Sequence, residues 1–408
     1  MMMMHHHHCT AFTRGGKRFP TAFTSCSSPR QICKNKSYAK KVTRASLMMK
    51  LAPLDADEIK KCWTLPRLYV GDGHPTLAAG SSVSLSPEQT HYLTKVMRLL
   101  KRRKQQHQPD ENNHITVDRD CIRIFNGHDG EWLATLRVLE EEDISSDRNS
   151  KKRKRRQPRQ GDITIVADCI HQLRAQDRAN DDARPWLIFA PLKKQSRMKL
   201  LVEKCTELGV GTILPIISDR TEGSAIQSLL GSSYMKEDEV YGTKRNAKGD
   251  DMSFDKLEFQ AVEAAEQCER LTIPYITKDV GLHPPEEGLD SALWKVHDIV
   301  KQWDSSWDEE KRVLLICRER STDDASSGVK ASVVPLLHAL RSNNNRVAFL
   351  VGPEGGWSPD EETLFDEICS RYKEIDSPVK CVSLGTSILR AETASMLALG
   401  AWALVHDD

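Results

Sequence analysis

The chain has 408 residues, 39% of them hydrophobic and 29% charged, with a formal net charge of +1. Such a length predicts about two or three domains, and the modest apolar content assigns part of it to tails and insertions. The near-zero charge excludes a polycation, so any nucleic-acid surface is a local patch, and no apolar run reaches the ~20 residues that cross a bilayer. Eleven cysteines carry no CxxC pair or metal-ligand spacing. This argues against a zinc site and fits reduced thiols in a cytosol, plastid stroma or mitochondrial matrix.

Residues 1–54 hold ten Lys or Arg and no Asp or Glu, the basic, acid-poor composition of an organellar transit peptide. Residues 1–64 are therefore expected to be a disordered targeting segment, with plastid or mitochondrion as destination and the cytoplasm as alternative. A basic RNA-holding tail competes with this, and His5 to His8 resemble an affinity tag. From Leu65 to about Ile165 the chain reads as short β-type runs: Arg67 to Val70, Ile115 to Val117, Cys121 to Phe125, Trp132 to Leu139 and Asp162 to Ala167. Asn126-Gly127 and Asp129-Gly130 are turn signals between them, and His91 to Leu100 is the one helix-like insert. The pattern suits a small β-barrel over residues 65–182, interrupted by polar insertions at 101–113 and 140–160. The run Lys151 to Arg156 in the second insertion is a nuclear signal, an RNA patch or, ranked first, a solvated loop.

From Pro185 the pattern changes. Trp186 to Ala190, Thr212 to Ile217, Val313 to Cys317, Val347 to Val351 and Val379 to Leu384 are apolar with little alternation, as in strands buried on both faces. Helices fit between them: Met198 to Leu208, ended by Gly209, and Phe259 to Leu271. Residues 183–408 are expected to form an open α/β sheet, with polar insertions near 222–256 and 281–311.

Two late segments carry the most information: Val351-Gly352-Pro353-Glu354-Gly355-Gly356 and Leu384-Gly385-Thr386-Ser387-Ile388-Leu389-Arg390-Ala391-Glu392-Thr393-Ala394. Each follows a strand and precedes a helix. Ser358 caps, Pro359 suits the first helical position, and Glu361 closes a capping box. Two glycine-bearing loops at the carboxyl ends of strands make a ligand crevice. The first βα loop of this region, Pro191-Leu192-Lys193-Lys194, has no glycine, which speaks against a dinucleotide fingerprint.

These segments closely resemble the RsmE family of ribosomal RNA uridine-N3 methyltransferases, within the SPOUT superfamily. The resemblance extends in family order through Arg67-Leu68-Tyr69-Val70, His91-Tyr92-Leu93 with Val96 and Arg98, and Phe125-Asn126-Gly127. It continues through Lys199 to Pro215, around Glu207-Leu208-Gly209-Val210, and through Ala265-Glu266-Gln267 with Arg270 and Pro274. It implies S-adenosylmethionine as donor, a trefoil-knotted C-terminal domain, a PUA-like barrel before it, a homodimer, and small-subunit ribosomal RNA as substrate; no metal and no membrane are expected, from the cysteine spacing and the lack of a long apolar run. The donor pocket it implies is Leu350, Gly352, Pro353, Glu354, Gly355, Gly356, Leu384, Gly385, Ile388, Leu389 and Thr393.

Uracil N3 must lose its proton for methylation, so the site needs a base or a cation that stabilises the anion. Arg390 is the candidate cation, because the macrodipole disfavours a positive charge in the first turn of a helix. An ion pair with Glu354 or another acid is the equal alternative. Glu354 and Glu392 are the candidate carboxylates, with a turn role for the first and helix-end stabilisation for the second as alternatives. Arg67, His91, Arg98, Lys193, Lys194 and Arg197 are expected on the RNA surface. Glu207 and Arg270 form a candidate internal pair. The chain departs from the family at Ser387, where an Arg is usual, and at Ala391, where a Thr is usual. The first change bears on target engagement. A non-catalytic RNA-binding assembly factor and a nuclear protein using Lys151 to Arg156 are the rival readings.

Overall fold

The computed structural model describes residues 54, 56–71, 76–100, 120–139, 164–230, 253–277, 293–305, 312–318, 333–341, 346–372 and 377–406. Most of the transit-like segment, the expected strand at Ile115 to Val117 and the run Lys151 to Arg156 lie outside these residues. The end of the expected targeting segment does not: helix α1 (Ala56–Cys62) is ordered, and Cys62 is wholly buried against Cys121 and Leu133. Its polar sequence hides this, since only one side chain of the helix is buried.

The first sheet has five strands, β1 (Arg67–Tyr69), β2 (Ser82–Ser84), β3 (Cys121–Phe125), β4 (Glu131–Leu139) and β5 (Thr164–Arg174), in the order β1-β3-β4-β5-β2. Leu68, Val83, Leu93, Ile122, Ile124, Trp132, Ala134, Ile165 and Ala167 fill its core. Strand β2 is short and two-thirds Ser, so no alternation announces it. Asn126 makes the expected turn through its own side chain, whose carbonyl accepts from the backbone N–H of His128 at 3.0 Å and Asp129 at 2.9 Å. The single helix expected over His91 to Leu100 is instead α2 (Pro87–His91) followed by a π-helical turn, Tyr92–Val96. A capping box between Ser86 and Gln89 starts the helix early. Positive φ angles at Arg98 and Leu100 end it early.

The second sheet has seven strands, β6 (Trp186–Phe189), β7 (Thr212–Pro215), β8 (Tyr275–Ile276), β9 (Val313–Arg318), β10 (Val334–Pro335), β11 (Val347–Val351) and β12 (Val379–Ser383). All its pairings are parallel, in the order β10-β12-β9-β11-β6-β7-β8. Alternate strand residues face two different cores. Leu187, Phe189, Ile213, Leu315 and Phe349 meet one helical layer, while Ile188, Leu214, Leu314, Ile316, Ala348 and Leu350 meet the other. Both faces are apolar, hence the unbroken hydrophobic runs. Helices α4 (Gln195–Glu207), α6 (Phe254–Gln267), α8 (Leu336–Arg341) and α10 (Ala391–His406) supply the first layer; α7 (Val296–Ser305) and α9 (Pro359–Ser370) supply the second. Gly209 follows α4 with φ +85°, as its C-terminal position requires.

Both expected polar insertions contain core structure. Helix α5 (Gly223–Leu230) buries Ala225 and Leu229, and α7 buries Ile299, Val300 and Trp303. Trp303 meets Trp186 edge-on at 6.1 Å and donates its indole N–H to the Arg312 carbonyl at 2.7 Å. The flanking polar sequence masks these short amphipathic helices.

Buried charge joins the two sheets. Glu131 of β4 is completely buried and accepts from Arg67 at 2.6 Å and Arg174 at 2.7 Å, with Arg123 at 3.5 Å. Arg67 also donates to the carbonyls of Ala265 and Arg270, both at 2.6 Å, and Arg174 donates to the carbonyl of Glu269 at 2.7 Å. Arg123 reaches the Glu269 carboxylate at 2.8 Å. The C-terminal end of α6 is thus held by three arginines that share one carboxylate; short α3 (Arg178–Ala183) follows β5. Arg67 does not face solvent as an RNA contact would, since its side chain is 3% exposed. The expected Glu207–Arg270 pair is also replaced. Glu207 pairs with Lys204, and Arg270 donates to the Thr206 carbonyl at 3.0 Å and the Thr272 hydroxyl at 2.9 Å.

Removing the charge of Glu131 leaves the buried Arg67 without an anionic partner, and breaking a buried pair in this way typically costs about 3–5 kcal/mol. Glu131→Gln is expected to lower the unfolding free energy by that order, measured by urea denaturation. A change below ~1 kcal/mol would mean that the arginines are stabilised by the carbonyls alone.

Candidate active site

A cavity of about 640 Å³ opens at the carboxyl ends of the second sheet, within the ~300–1,000 Å³ range of small-molecule sites. Its walls are the loops after β6, β11 and β12 and the end of β9. Strand β9 is paired with β11 on one side and β12 on the other, so the two glycine-bearing loops emerge on either side of Arg318. Of the eleven expected donor contacts, Gly352, Pro353, Glu354, Gly355, Gly356, Leu384, Gly385, Ile388 and Leu389 line the cavity. Leu350 and Thr393 do not. Leu350 is fully buried in the core under α9, and Thr393 faces solvent on α10. Val351 occupies the place assigned to Leu350, one residue further towards the strand end.

The first loop is fixed by its tryptophan. Trp357 donates its indole N–H to the Cys317 carbonyl at 3.1 Å and packs edge-on against Phe365. Gly352 lies against this indole: a Cβ there would stand 2.9 Å from it. Gly356 has φ +72°, a conformation that L side chains avoid. Gly355 has no such constraint, since its Cβ would meet Arg220 at an ordinary 3.5 Å. Ser358 caps α9 with the expected capping box, and its Glu361 is fully buried and also accepts from the Ser218 hydroxyl at 3.1 Å and the Asp219 N–H at 3.0 Å. That carboxylate ties the segment after β7 to the start of α9.

Arg197, expected on RNA, stands in the first turn of α4 and spans the cavity wall. It donates to Glu392 of α10 at 2.8 Å through Nε and pairs through its two terminal nitrogens with Glu354 and Glu392. One guanidinium therefore cross-links the two loops. Burial pushes the Glu392 carboxyl up, but the hydrogen bonds from Arg197 and from its own backbone N–H, with the charges of Arg197 and Arg390, hold it below the ordinary value. A carboxylate so stabilised is a poor proton acceptor. The ion pair considered for Glu354 and Arg390 is not made, because Glu354 is committed to Arg197. Arg390 is exposed at the cavity, one residue before α10, and among the described residues no carboxylate pairs with it.

Lys194 also lines the cavity, whereas Lys193 lies outside its lining and pairs with Glu222 at 2.8 Å. His91 and Arg98 are exposed on the first sheet's helical insert, outside the cavity. Arg220 and Arg318, which the sequence reading missed, add two cations. Arg220 donates to the Gly355 carbonyl at 2.8 Å, and Arg318 donates to Asp366 at 2.6 Å and pairs with Glu362. Arg318 ends a recognisable strand, the one signal that could have found it; Arg220 follows no motif. Among the described residues no cluster of potential metal ligands occurs.

These features define an α/β domain that takes a ligand at the carboxyl ends of its strands, with a cationic rim for an anionic partner. A family model for the RNA methyltransferase domain matches residues 181–232 and 239–403, and the chain belongs to that family. It is similar to ribosomal RNA small subunit methyltransferase E of Rickettsia conorii, 24% identical over 334 residues that span 82% of this chain and 93% of that protein. The protein of the same name from Synechocystis is 23% identical, over 78% of this chain and 72% of its own length. A crystal structure of ribosomal RNA small subunit methyltransferase E from Neisseria gonorrhoeae bound to S-adenosyl methionine aligns with a TM-score of 0.47 and 20% identity, covering 84% of this chain and 98% of that one.

Gly352→Ala is expected to destabilise the fold by about 1–3 kcal/mol, the usual scale of overpacking, because the Trp357 indole is pinned and cannot retreat. Gly355→Ala is expected to stay within ~0.5 kcal/mol. Paired thermal unfolding scans check the contrast, and equal effects would mean that Trp357 is free to move.

Proposed function

We propose that the chain methylates N3 of a uridine in small-subunit ribosomal RNA, using S-adenosylmethionine. The observation that carries this reading is the cavity between loops 352–357 and 384–390, with the exposed Arg390 guanidinium, paired with no carboxylate among the described residues, at its rim. The cavity suits the donor: it offers apolar walls at Val351, Leu389 and Ala394, backbone groups from two glycine-bearing loops, and cations for a carboxylate. When bound, S-adenosylmethionine supplies an electrophilic methyl group on its sulfonium sulfur. Arg197 holds the two loops at a fixed separation through Glu354 and Glu392, so the walls are set before ligand enters. Such preorganisation converts an encounter into an oriented one.

Arg390 has no acceptor atom and cannot take the N3 proton. Its part is to stabilise the negative charge that uracil gains as that proton passes to solvent water. Glu354 and Glu392, both engaged by Arg197, orient the site rather than accept the proton. His91 and Arg98 extend the RNA surface onto the first sheet, and Lys194 extends it from the cavity. The names of the relatives support ribosomal RNA as substrate.

Three finer features belong to the same reading. The first sheet is a PUA-like barrel. The second domain is a trefoil knot, supported by the path from β10 across β9 to β11 and back to β12. Two chains pair through α10, supported by exposed Leu397 and Leu404 on that helix, Leu200 on α4 and Leu337 on α8. The basic, acid-free residues 1–54 support a plastid or mitochondrial destination.

Calorimetric titration with S-adenosylmethionine, and mass mapping of ribosomal uridines after gene removal, test the reading together; no donor binding, or no uridine losing its methyl group, refutes it. Arg390→Ala is expected to lower the single-turnover rate about a hundredfold, near 3 kcal/mol, with RNA affinity little changed. A rate within about threefold of the parent would leave Arg390 a surface residue. Sedimentation is expected to show a dimer that Leu404→Glu disrupts; a monomer that methylates RNA refutes the pairing.

A further inference from the structure

Cys369 of α9 and Cys381 of β12 bring their sulfurs to 3.2 Å, and both are free thiols. Cys369 is half-buried, while Cys381 is 1% exposed. The Arg318 guanidinium lies 3.5 Å from the Cys381 sulfur. A thiol pair in contact, one member beside a fixed cation and the other half-buried at the edge of the core, has the parts of a reactive dithiol. Nothing in the methyl-transfer reading uses it.

We propose that Cys369 and Cys381 form an oxidation site for a peroxide, closing to a disulfide that ties α9 to β12. The Cys381 sulfur, as thiolate beside Arg318, attacks one peroxide oxygen. The O–O bond breaks, and the departing hydroxide takes the Cys369 thiol proton and leaves as water. The Cys369 thiolate then attacks the Cys381 sulfur, the S–O bond breaks, and the expelled hydroxide takes up the proton that Cys381 released on ionising to become a second water. Two thiols lose two electrons in all, and one peroxide is reduced to two waters. The hydrogen bond from Cys369 and the Arg318 charge hold the Cys381 thiol below its ordinary value against the effect of burial, which favours Cys381 as the first nucleophile.

Closure needs the sulfurs to approach from 3.2 Å to about 2.0 Å, the length of an S–S bond. The bond would join the helix that follows loop 352–357 to the strand that precedes loop 384–390. Arg318 would keep its carboxylates Asp366 and Glu362 but lose a thiolate neighbour. Arg318 lines the cavity, so oxidation reaches the cavity wall through one side chain.

The test is hydrogen peroxide treatment of the full chain, followed by alkylation, proteolysis and mass spectrometry. The expected result is a peptide linking Cys369 to Cys381, lighter by two hydrogens than the sum of its parts and separated by dithiothreitol. Cys369→Ser is expected to trap the Cys381 sulfenic acid, which a dimedone probe reads. Arg318→Lys is expected to slow linkage severalfold at neutral pH. Overturning results are the absence of the linked peptide with both thiols alkylated, or equal dimedone labelling of a solvent-exposed cysteine and of Cys381. Titration with S-adenosylmethionine before and after oxidation separates the two readings. A chain that forms the link but binds no donor in either state refutes the donor site and leaves the dithiol standing.

Discussion

The parallel pairing of β9 with β11 and β12 is the constraint on which the site depends. Because both neighbours run with β9, the loops that leave them emerge on the same edge of the sheet, separated by the width of one strand. No side chain is needed to bring loops 352–357 and 384–390 together; backbone hydrogen bonds do it, in a sheet whose two faces are both dry. The side chains then trim the gap. Trp357 fastens the first loop to the end of β9, and Arg197 fastens both loops to α4. A ligand that fits this gap meets walls that have little freedom left to lose on binding, the circumstance in which affinity is not spent on ordering the protein.

Charge around the cavity is divided between structure and function by burial and partners. Arg197, Arg220 and Arg318 are each committed, to carboxylates or to a backbone carbonyl. Arg390 is exposed at the N-terminal end of α10, where the helix dipole opposes a cation. Its charge contributes to the low proton affinity of Glu392, yet among the described residues no carboxylate forms an ion pair with it. The same contrast governs Arg67: identical chemistry, fully buried, and wholly used in joining one sheet to another.

The sequence was most legible where the physics is local or periodic. Five central strands, the capping box at Ser358 and Glu361, and Gly209 behind α4 follow from apolar runs and backbone chemistry that neighbours along the chain decide. Nine of the residues that line the cavity were legible for a different reason: they sit in two contiguous motifs. The failures were non-local. Strands β8 and β10 have two residues each, too few for any period, and exist because a neighbour pairs with them. Helices α5 and α7 hide in polar sequence because each buries only a few side chains. Arg67 and Arg197 read alike as surface cations until the fold supplies their partners, which lie far away in sequence; for Arg67 the separations are 64, 198 and 203 residues.

The buried Glu131 cluster has a consequence for how a long polymer would meet the cavity. An exposed ion pair between two domains contributes little and lets them swing. Here one carboxylate with no exposure gathers three arginines that also hold the carbonyl-lined end of α6. Separating the two sheets would expose these charges at once and break several charge-assisted hydrogen bonds, each worth more than a neutral one. The first sheet, with His91 and Arg98 exposed, is therefore held rigidly against the sheet that carries the cavity. A substrate touching both would be read by a fixed template, with the spacing between its two contacts set by the protein. The cost of orienting such a substrate falls on the substrate alone.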